Sequence, residues 1–276
     1  RRQRQMCIRD SANAVRRLNQ FTGPFILRRM KSEVLRELPP KTENVRRVEL
    51  ETEQRKLYLA AVVDAREKLR AAKPEDKMTV FAVLMRLREI CCDPRLVADN
   101  WTGSSAKLEA CLELVTEAVA GGHRILLFSQ FTSMLELLAK RLDEAGVSHF
   151  TLQGSTPKPV RAEQVRRFNQ GEADVFLISL RAGGTGLNLT AADIVIHYDP
   201  WWNLAAQNQA TDRAYRIGQR NPVQVYRLIA QDTIEEKIVE LQQAKQSLAD
   251  TVTGGADGAI LSMNPEQLLQ LLGEEA

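Results

Sequence analysis

The stretch RILLFSQFTSMLELLAKRLDEA (residues 124–145) joins a short apolar run to a longer helical segment. Residues 124–129 are continuously apolar over a short length, which is typical of a strand buried in a parallel sheet. Residues 132–145 then predict a helix. A buried strand followed by a helix is the repeating unit of α/β sheets. This stretch therefore predicts an α/β fold.

The same alternation extends on both sides of that stretch. Strands are predicted at 149–153, 175–179, 194–198 and 223–229, and helices at 106–120, 159–170, 203–216 and 233–248. Strands alternating with helices of about 10–15 residues favour βαβ units and a parallel sheet. Before residue 104 the pattern is mainly helical, with one strand at 45–50 and helices at 52–72 and 77–92. A Gly-rich tail from residue 253 precedes a short helix at 264–272, which Asn264 caps.

The composition is that of an ordinary globular chain. Of 276 residues, 44% are hydrophobic and 26% are charged, so a sizeable core can be buried. No apolar run approaches the roughly 20 residues that a membrane-spanning helix needs, so we expect no membrane partner. The chain opens on Arg1 without an initiator Met or a signal segment. We expect it to be part of a longer cytosolic or nuclear protein.

The cysteine pattern does not favour a metal site. Cys7, Cys91, Cys92 and Cys111 form no C-x-x-C pair, and the three histidines are scattered. This pattern predicts reduced, packed thiols and no metal ligands in this chain.

Positive charge is concentrated at the N-terminal end. Residues 1–50 contain 13 Lys or Arg against 5 Asp or Glu, whereas the whole chain has a net charge of only +3. A basic flank on a near-neutral body favours a polyanionic partner. A solvated basic surface explains the charge equally well.

The strongest local motif is QATDRAYRIGQ at residues 209–219. On a helix that ends at Gly218, Arg213 and Arg216 would share one face, and Asp212 could hold one guanidinium. Arginine presents a planar fork of donors that suits phosphate. Arginine fingers that stabilise a transferring phosphoryl group contribute about 10³–10⁵ in rate. Taken alone, such a pattern is more often an exposed helix with ion pairs.

A second motif, SLRAGGTGLNL at residues 179–189, places three glycines within four residues after a predicted strand. Glycine allows close approach of the backbone, and successive free N–H groups can form an anion-binding nest. Ligands of open α/β sheets bind at the carboxyl ends of strands. A tight turn is nevertheless the commoner cause of such a loop.

A third motif is DPWWN at residues 199–203, which enters a helix capped by Asn203. Two adjacent tryptophans are unusual in a chain that has three. We expect one to pack in the core and the other to reach the surface. An exposed aromatic side chain beside a phosphate-binding loop can wedge into or stack on nucleic acid.

Together the three motifs follow a known order. Their spacing resembles motifs V and VI of helicase superfamily two, in the Swi/Snf branch. ILLFSQF at residues 125–131 resembles motif IV, and LQGST at 152–156 resembles the family's next block. FILRRMK at residues 25–31 is similar to the segment that joins the family's two motor lobes. LREICCDP at residues 87–94 is similar to the helical protrusion on the second lobe.

The resemblance implies a RecA-like parallel sheet flanked by helices, with an N-terminal, mainly helical protrusion. It implies four parts along the chain: an inter-lobe bridging segment at 1–44, the protrusion at 45–104, the second RecA-like helicase lobe at 105–232, and a C-terminal brace helix and tail at 233–276.

The resemblance also implies roles for residues at matching positions. Arg213 and Arg216 would be catalytic, reaching the γ-phosphate. Nucleotide-binding roles fall to Gly184, Gly186, Gln209 and Asp212. DNA-binding roles fall to Gln130, Gly154, Ser155, Thr156, Arg181, Thr185, Asn188 and Trp202. Contacts of the last group would be to the backbone of one strand, and so largely independent of base sequence.

Two positions depart from the family pattern. Leu204 follows Asn203 where the family has Pro, and Tyr215 stands where His is common. Neither removes a phosphate ligand, so they put the subfamily in doubt and not the class of activity.

The chain contains no G-x-x-x-x-G-K-[ST] segment. DEAG at residues 143–146 resembles a Walker B box, but it is predicted at the end of a helix and not after an apolar strand. We therefore expect ATP and Mg²⁺ to be bound mainly by a first lobe outside this chain. The chain alone should have no ATPase activity.

The implied function is the second motor lobe of an ATP-dependent translocase on double-stranded DNA. Its expected partners are duplex DNA, an N-terminal RecA-like lobe, and RNA polymerase or another DNA-bound complex. Two alternatives stay open: a nucleic-acid-binding or regulatory module without a motor, and an RNA helicase-like enzyme. A Walker A segment upstream of Arg1 would favour the motor. The ending MNPEQLLQLLGEEA favours a bacterial, cytoplasmic protein; a eukaryotic one would be nuclear.

Overall fold

The computed structural model describes residues 38–180, 182, 186–249 and 263–273, without the side chains of 244–249. The chain divides into two compact units, and the contacts reported below lie within the unit formed by residues 38–242 and 257–276. Most of the predicted bridging segment and the Gly-rich tail fall outside the described residues.

Six strands form one parallel sheet in the described part of the chain. They are β1 (Lys41–Val48), β2 (Ile125–Ser129), β3 (His149–Leu152), β4 (Val175–Ser179), β5 (Ile194–His197) and β6 (Val223–Ala230). Their order across the sheet is β1-β6-β5-β2-β4-β3, and each neighbouring pair is parallel. This sheet confirms the predicted RecA-like α/β class.

Eight described α-helices accompany the sheet. They are α1 (Thr52–Ala71), α2 (Lys77–Cys92), α3 (Ala106–Ala120), α4 (Thr132–Glu144), α5 (Lys158–Asn169), α6 (Leu204–Thr211), α7 (Ile234–Ala249) and α8 (Pro265–Leu271). All but α6 agree with the predicted helices within about two residues. The predicted cap of α8 is confirmed, because Asn264 and Gln267 form a reciprocal capping box. None of the described helices is long and apolar enough to cross a membrane.

Apolar side chains on both faces of the strands explain their continuous apolar runs. Along β2, Ile125 and Leu127 join a core packed by α3 and α4, whereas Leu126 and Phe128 join a core packed by α5 and α6. Successive side chains of a strand point to opposite faces. A strand covered by helices on both faces therefore needs apolar residues at every position.

A third core lies among α1, α2, α8 and the start of α7. Tyr58 of α1 connects this core to the end of the sheet, because its buried hydroxyl accepts the backbone N–H of Ile234 at 2.7 Å. Burial raises the pKa of Tyr58, which keeps the hydroxyl protonated. Strand β1 pairs with β6 and spans the boundary predicted between residues 44 and 45, so part of the predicted bridging segment belongs to the sheet.

The described cysteines are packed thiols, as predicted. Cys91, Cys92 and Cys111 are free and buried. Burial raises the pKa of Cys111 to about 12 and that of Cys92 well above its ordinary value. A thiol that stays protonated is a weak nucleophile and a weak metal ligand, so these residues serve packing. Cys7 lies outside the described residues.

The helix predicted over residues 203–216 is wrong in its second half. Helix α6 ends at Thr211, and turns follow up to Gly218. The carbonyl of Arg213 accepts the N–H of Leu189 at 3.0 Å, and that of Ala214 accepts the side-chain amide of Gln219 at 3.2 Å. These carbonyls are thus withdrawn from the helical ladder, one by Leu189 from a distant segment and one by the nearby side chain of Gln219.

Candidate nucleotide and DNA interface

Four neighbouring strands carry the predicted DNA-facing residues at their carboxyl ends. Gln130 follows β2, the segment Gly154–Thr156 follows β3, the Gly-rich loop follows β4, and Trp202 follows β5. Parallel strands end at one edge of their sheet. The fold therefore brings together segments that are up to 72 residues apart in sequence. This edge is where open α/β sheets bind ligands.

The part of this edge formed by residues 153–156 is a tight turn. The N–H of Gln153 donates to the hydroxyl of Thr156 at 3.0 Å, and the N–H of Thr156 donates back to the carbonyl of Gln153 at 3.1 Å. Gly154 and Ser155 are exposed, with no atom near the position where a Cβ of Gly154 would lie. The turn thus presents its backbone to solvent, as a phosphate contact requires.

Asp199 ties the ends of β2 and β5 together. Its buried carboxylate accepts the Ser129 hydroxyl at 2.6 Å and the Gln130 backbone N–H at 3.1 Å, and it pairs with Arg88 of α2 at 3.2 Å. Both charged side chains are fully buried. A buried charge needs a partner of this kind. Both residues lie within the motifs at 87–94 and 199–203, but sequence alone indicates no role for either.

The two adjacent tryptophans lie in different cores. Trp201 packs against the core shared with α5 and α6, whereas Trp202 packs against the core of α1, α2 and α8. Both are partly exposed, so the prediction that one is a core residue and the other a surface residue is too simple. Asn203 caps α6 as predicted, because its side chain accepts the N–H of Ala206 at 2.9 Å.

The arginine segment holds two guanidinium groups of different exposure. Arg213 is 7% exposed and its Nε has no hydrogen-bond partner among the described residues, whereas Arg216 is exposed. Burial, and then the charge of Arg216, lower the pKa of Arg213, while Asp212 opposes the shift. Arg213 and Arg216 repel each other, and the Arg213 Nε donor is unsatisfied. An anionic ligand would relieve this repulsion, so the segment is suited to bind one.

The structure joins the arginine segment to the segment after the Gly-rich loop. The hydrogen bond from Leu189 to Arg213 links them directly, and Gly218 adopts a φ of 103° beside Thr190. That left-handed conformation favours glycine. Asn188, by contrast, is exposed, and its carbonyl accepts the Asn169 amide at the end of α5, at 2.8 Å. It thus lies at the end of α5 and not at the carboxyl ends of the strands.

The remaining predicted nucleotide ligands are only partly described. Gly186 is exposed with a φ of 48°, Gln209 is exposed on α6, and Asp212 is half-buried at the end of that helix. The other predicted ligands in the Gly-rich loop, Arg181, Gly184 and Thr185, lie outside the described residues. Asp143 and Glu144 occupy the last turn of α4, so the Walker B-like string is at a helix end as predicted.

His197 is a buried histidine beneath the arginine segment. Its Nε2 lies 2.9 Å from the Thr211 hydroxyl at the end of α6, and its ring stacks on Phe128 with centroids 5.6 Å apart. Burial, and then the charges of Arg227 and Lys41, lower the pKa of His197 to about 3. The folded protein therefore contains this imidazole in its neutral form.

This histidine should make the fold sensitive to acid. An unfolded histidine takes up a proton near pH 6.5, whereas His197 resists protonation down to about pH 3 when folded. Above about pH 6.5 the histidine is neutral in both states and the free energy of unfolding has its full value. As the pH falls from there towards 3, only the unfolded chain takes up the proton, so the free energy of unfolding decreases by about 1.4 kcal/mol per pH unit. In urea unfolding between pH 7 and 4.5, the free energy of unfolding should fall less steeply with decreasing pH for His197→Gln than for the unaltered chain. Parallel curves would contradict this account.

A second buried ion pair was also missed from sequence. Lys107 of α3 pairs with Glu235 of α7, both fully buried, and Glu235 also accepts the N–H of Ala230 at 2.8 Å. Burial raises the pKa of Glu235, and the Lys107 charge opposes that shift. Neither residue stands in a motif, and helical spacing gives no sign that Lys107 faces the core.

Comparison with known proteins agrees with this geometry. The Helicase conserved C-terminal domain model matches residues 106–218, and the SNF2-related domain model matches residues 1–96. An uncharacterized ATP-dependent helicase of Mycoplasma pneumoniae is 40% identical over 92% of this chain and 25% of its own length. A putative ATP-dependent helicase/translocase of Bacillus subtilis is 39% identical over 92% of this chain and 28% of its own. The chain thus spans about a quarter of these curated relatives.

Solved structures show the same similarity. The Sulfolobus solfataricus SWI2/SNF2 ATPase core in complex with dsDNA is 30% identical, with a TM-score of 0.72 over 95% of this chain and 56% of that one. The C-terminal domain of a Sulfolobus solfataricus SWI2/SNF2 ATPase is 27% identical, with a TM-score of 0.70 over 86% of this chain and all of that one. The chain therefore belongs to the SNF2-type helicases of superfamily two and carries their C-terminal, RecA-like lobe.

Proposed function

We propose that this chain is the second motor lobe of an ATP-dependent translocase on double-stranded DNA. The observation that carries the proposal is the pair Arg213 and Arg216. The Leu189 N–H donates to the Arg213 carbonyl and so anchors the segment, and Arg213 and Arg216 are close enough for their charges to repel. Relatives named as ATP-dependent helicases, and a structural neighbour bound to dsDNA, support the same proposal.

In this proposal the arginines complete a nucleotide site whose other half lies on the first lobe. Arg216 is exposed, so its guanidinium suits the γ-phosphate of ATP, and the mostly buried Arg213 would add a second positive charge beside it. ATP supplies the phosphoryl group whose transfer releases the free energy for movement. Stabilising charge on that group requires fixed donors and no covalent chemistry from the protein. We assign Mg²⁺ to the first lobe, because this chain contains no Walker A segment whose Ser or Thr would hold the ion.

The carboxyl edge of the sheet would follow the DNA backbone. Gln130, the turn at Gly154–Thr156 and Trp202 offer amide, hydroxyl and backbone donors along this edge. Contacts of these types position a protein on phosphates without reading bases. The test is displacement of the third strand from a DNA triplex by the full-length protein. We expect ATP-dependent displacement; none under conditions where the protein hydrolyses ATP would overturn translocation.

The chain alone should not hydrolyse ATP. It contains no Walker A segment, so no lysine is available for the β- and γ-phosphates. We expect phosphate release by the purified 276-residue chain, with or without duplex DNA, to equal that of its Arg216→Ala variant. DNA-stimulated turnover that this substitution abolishes would show that a complete site exists within the chain.

A further inference from the structure

Arg88 connects the helical N-terminal part of the fold to the carboxyl edge of the sheet. It lies on α2 and is fully buried, yet its guanidinium donates to Oε1 of Gln130 at 2.8 Å, the Pro200 carbonyl at 2.6 Å and Asp199 at 3.2 Å. One planar group thus contacts the segments that follow β2 and β5. These segments carry two of the residues proposed to face DNA.

Two aromatic rings lie against the same guanidinium. Its central carbon is 4.1 Å from the ring centroid of Trp202 and 5.4 Å from that of Phe131. A flat guanidinium can stack on a ring and still donate in its own plane, whereas an ammonium cannot do both. The position is therefore specific for arginine. Because Gln130 also donates to the Met85 sulfur at 3.4 Å, its amide is fixed at both ends.

Stability does not account for a buried arginine here. Replacing a buried ion pair with apolar groups of similar volume is often neutral or stabilising. In addition, Arg88 Nε has no hydrogen-bond partner among the described residues, which has an energetic cost. What the arrangement does provide is one fixed orientation for the Gln130 amide and the Trp202 ring.

We propose that Arg88 is a positioning residue that orients the Gln130 amide and the Trp202 ring for contact with the DNA backbone. The protrusion helix α2 and the helicase lobe then present one continuous DNA surface. This inference rests on the proposed function, because it assumes that Gln130 and Trp202 face DNA. It predicts that altering Arg88 changes the response to DNA and not the response to ATP.

The test uses Arg88→Lys in the full-length protein, which keeps a cation beside Asp199 but loses the fork and the stacking. We expect the duplex concentration for half-maximal ATPase stimulation to rise about tenfold, which corresponds to the loss of one good contact, while KM for ATP stays unchanged. The matched control is Lys107→Arg, since Lys107 is also fully buried and ion-paired, with Glu235, and lies over the Tyr198 ring. The control should leave both values unchanged.

A second variant tests the inference if Arg88→Lys does not fold. Gln130→Leu leaves the Arg88–Asp199 pair in place and should raise the half-saturating duplex concentration to a similar extent. In the double variant the combined effect should be smaller than the sum of the two single effects, because Arg88 acts in part through Gln130. An unchanged DNA response in either folded single variant overturns the inference. An unaltered protein whose ATPase ignores DNA would instead overturn the proposed function.

Discussion

Arg216→Ala in the full-length protein should lower kcat for DNA-stimulated ATP hydrolysis by about 10³–10⁵, the range measured for arginine fingers. The exposed guanidinium of Arg216 would contact the γ-phosphate as charge develops on it, so the loss should fall on kcat more than on KM. Arg213→Ala should have an effect of similar size. Its lower exposure adds a cost in stability that the Arg216 variant should not show.

The control for this prediction is Arg220→Ala. Arg220 is exposed four residues further along, and it enters the local structure through its backbone N–H, which donates to Gln219. Arg220→Ala should change kcat by less than about threefold, as is usual for surface substitutions away from a functional site. Initial rates at saturating ATP and duplex DNA measure all three variants. If Arg216→Ala stays within tenfold of the unaltered protein, Arg216 is not a finger.

Lys107→Met should lower the free energy of unfolding by about 3–5 kcal/mol, the usual consequence of removing one partner from a buried ion pair. Glu235 would then be a buried carboxylate without a cation, and it also accepts the Ala230 N–H at the end of β6. The substitution therefore disturbs the junction of the sheet with α7. Urea unfolding of the 276-residue chain, with midpoint and slope both fitted, measures the effect.

Two further variants separate the buried charge from lost packing. Lys107→Met with Glu235→Gln removes both charges and keeps an oxygen for Ala230, so it should recover much of the loss. Lys68→Met breaks the exposed pair of Lys68 with Asp64, which lies on α1 at 2.7 Å, and should change stability by about 0.5 kcal/mol or less. Equal losses from the buried and exposed substitutions would refute this view of the Lys107–Glu235 pair.

The fold could be predicted largely from local sequence because its signals are local. Short apolar runs bounded by polar residues indicate strands that helices cover on both faces, and β2 and β4 have the predicted ends within one residue. The order of the strands across the sheet is not a local property, because it depends on which strands pair across long separations in sequence. The spacing of apolar residues carries no information on that pairing, so the order β1-β6-β5-β2-β4-β3 became known only from the structure.

The candidate site was predictable as far as motifs extend. Gln130, the turn at residues 153–156 and Trp202 lie at the carboxyl ends of neighbouring parallel strands, whereas Asn188 does not, and Arg181 and Thr185 lie outside the described residues. The conformation of the arginine segment was not predictable, because Leu189 and Gln219 compete for its carbonyls from positions outside the helical pattern. Arg88 and Lys107 were missed because a charged residue at helical spacing is read as exposed unless its partners, Asp199 and Glu235, are known.

The most direct measurement of the central claim is ATP hydrolysis by the full-length protein at matched concentrations of duplex DNA, single-stranded DNA and RNA. A motor lobe that follows the DNA backbone predicts strong stimulation by duplex of any sequence, falling with rising salt as phosphate contacts are lost. It also predicts that Arg216→Ala abolishes the stimulation. Turnover that is independent of nucleic acid, or that RNA stimulates as well as duplex DNA does, would contradict the account.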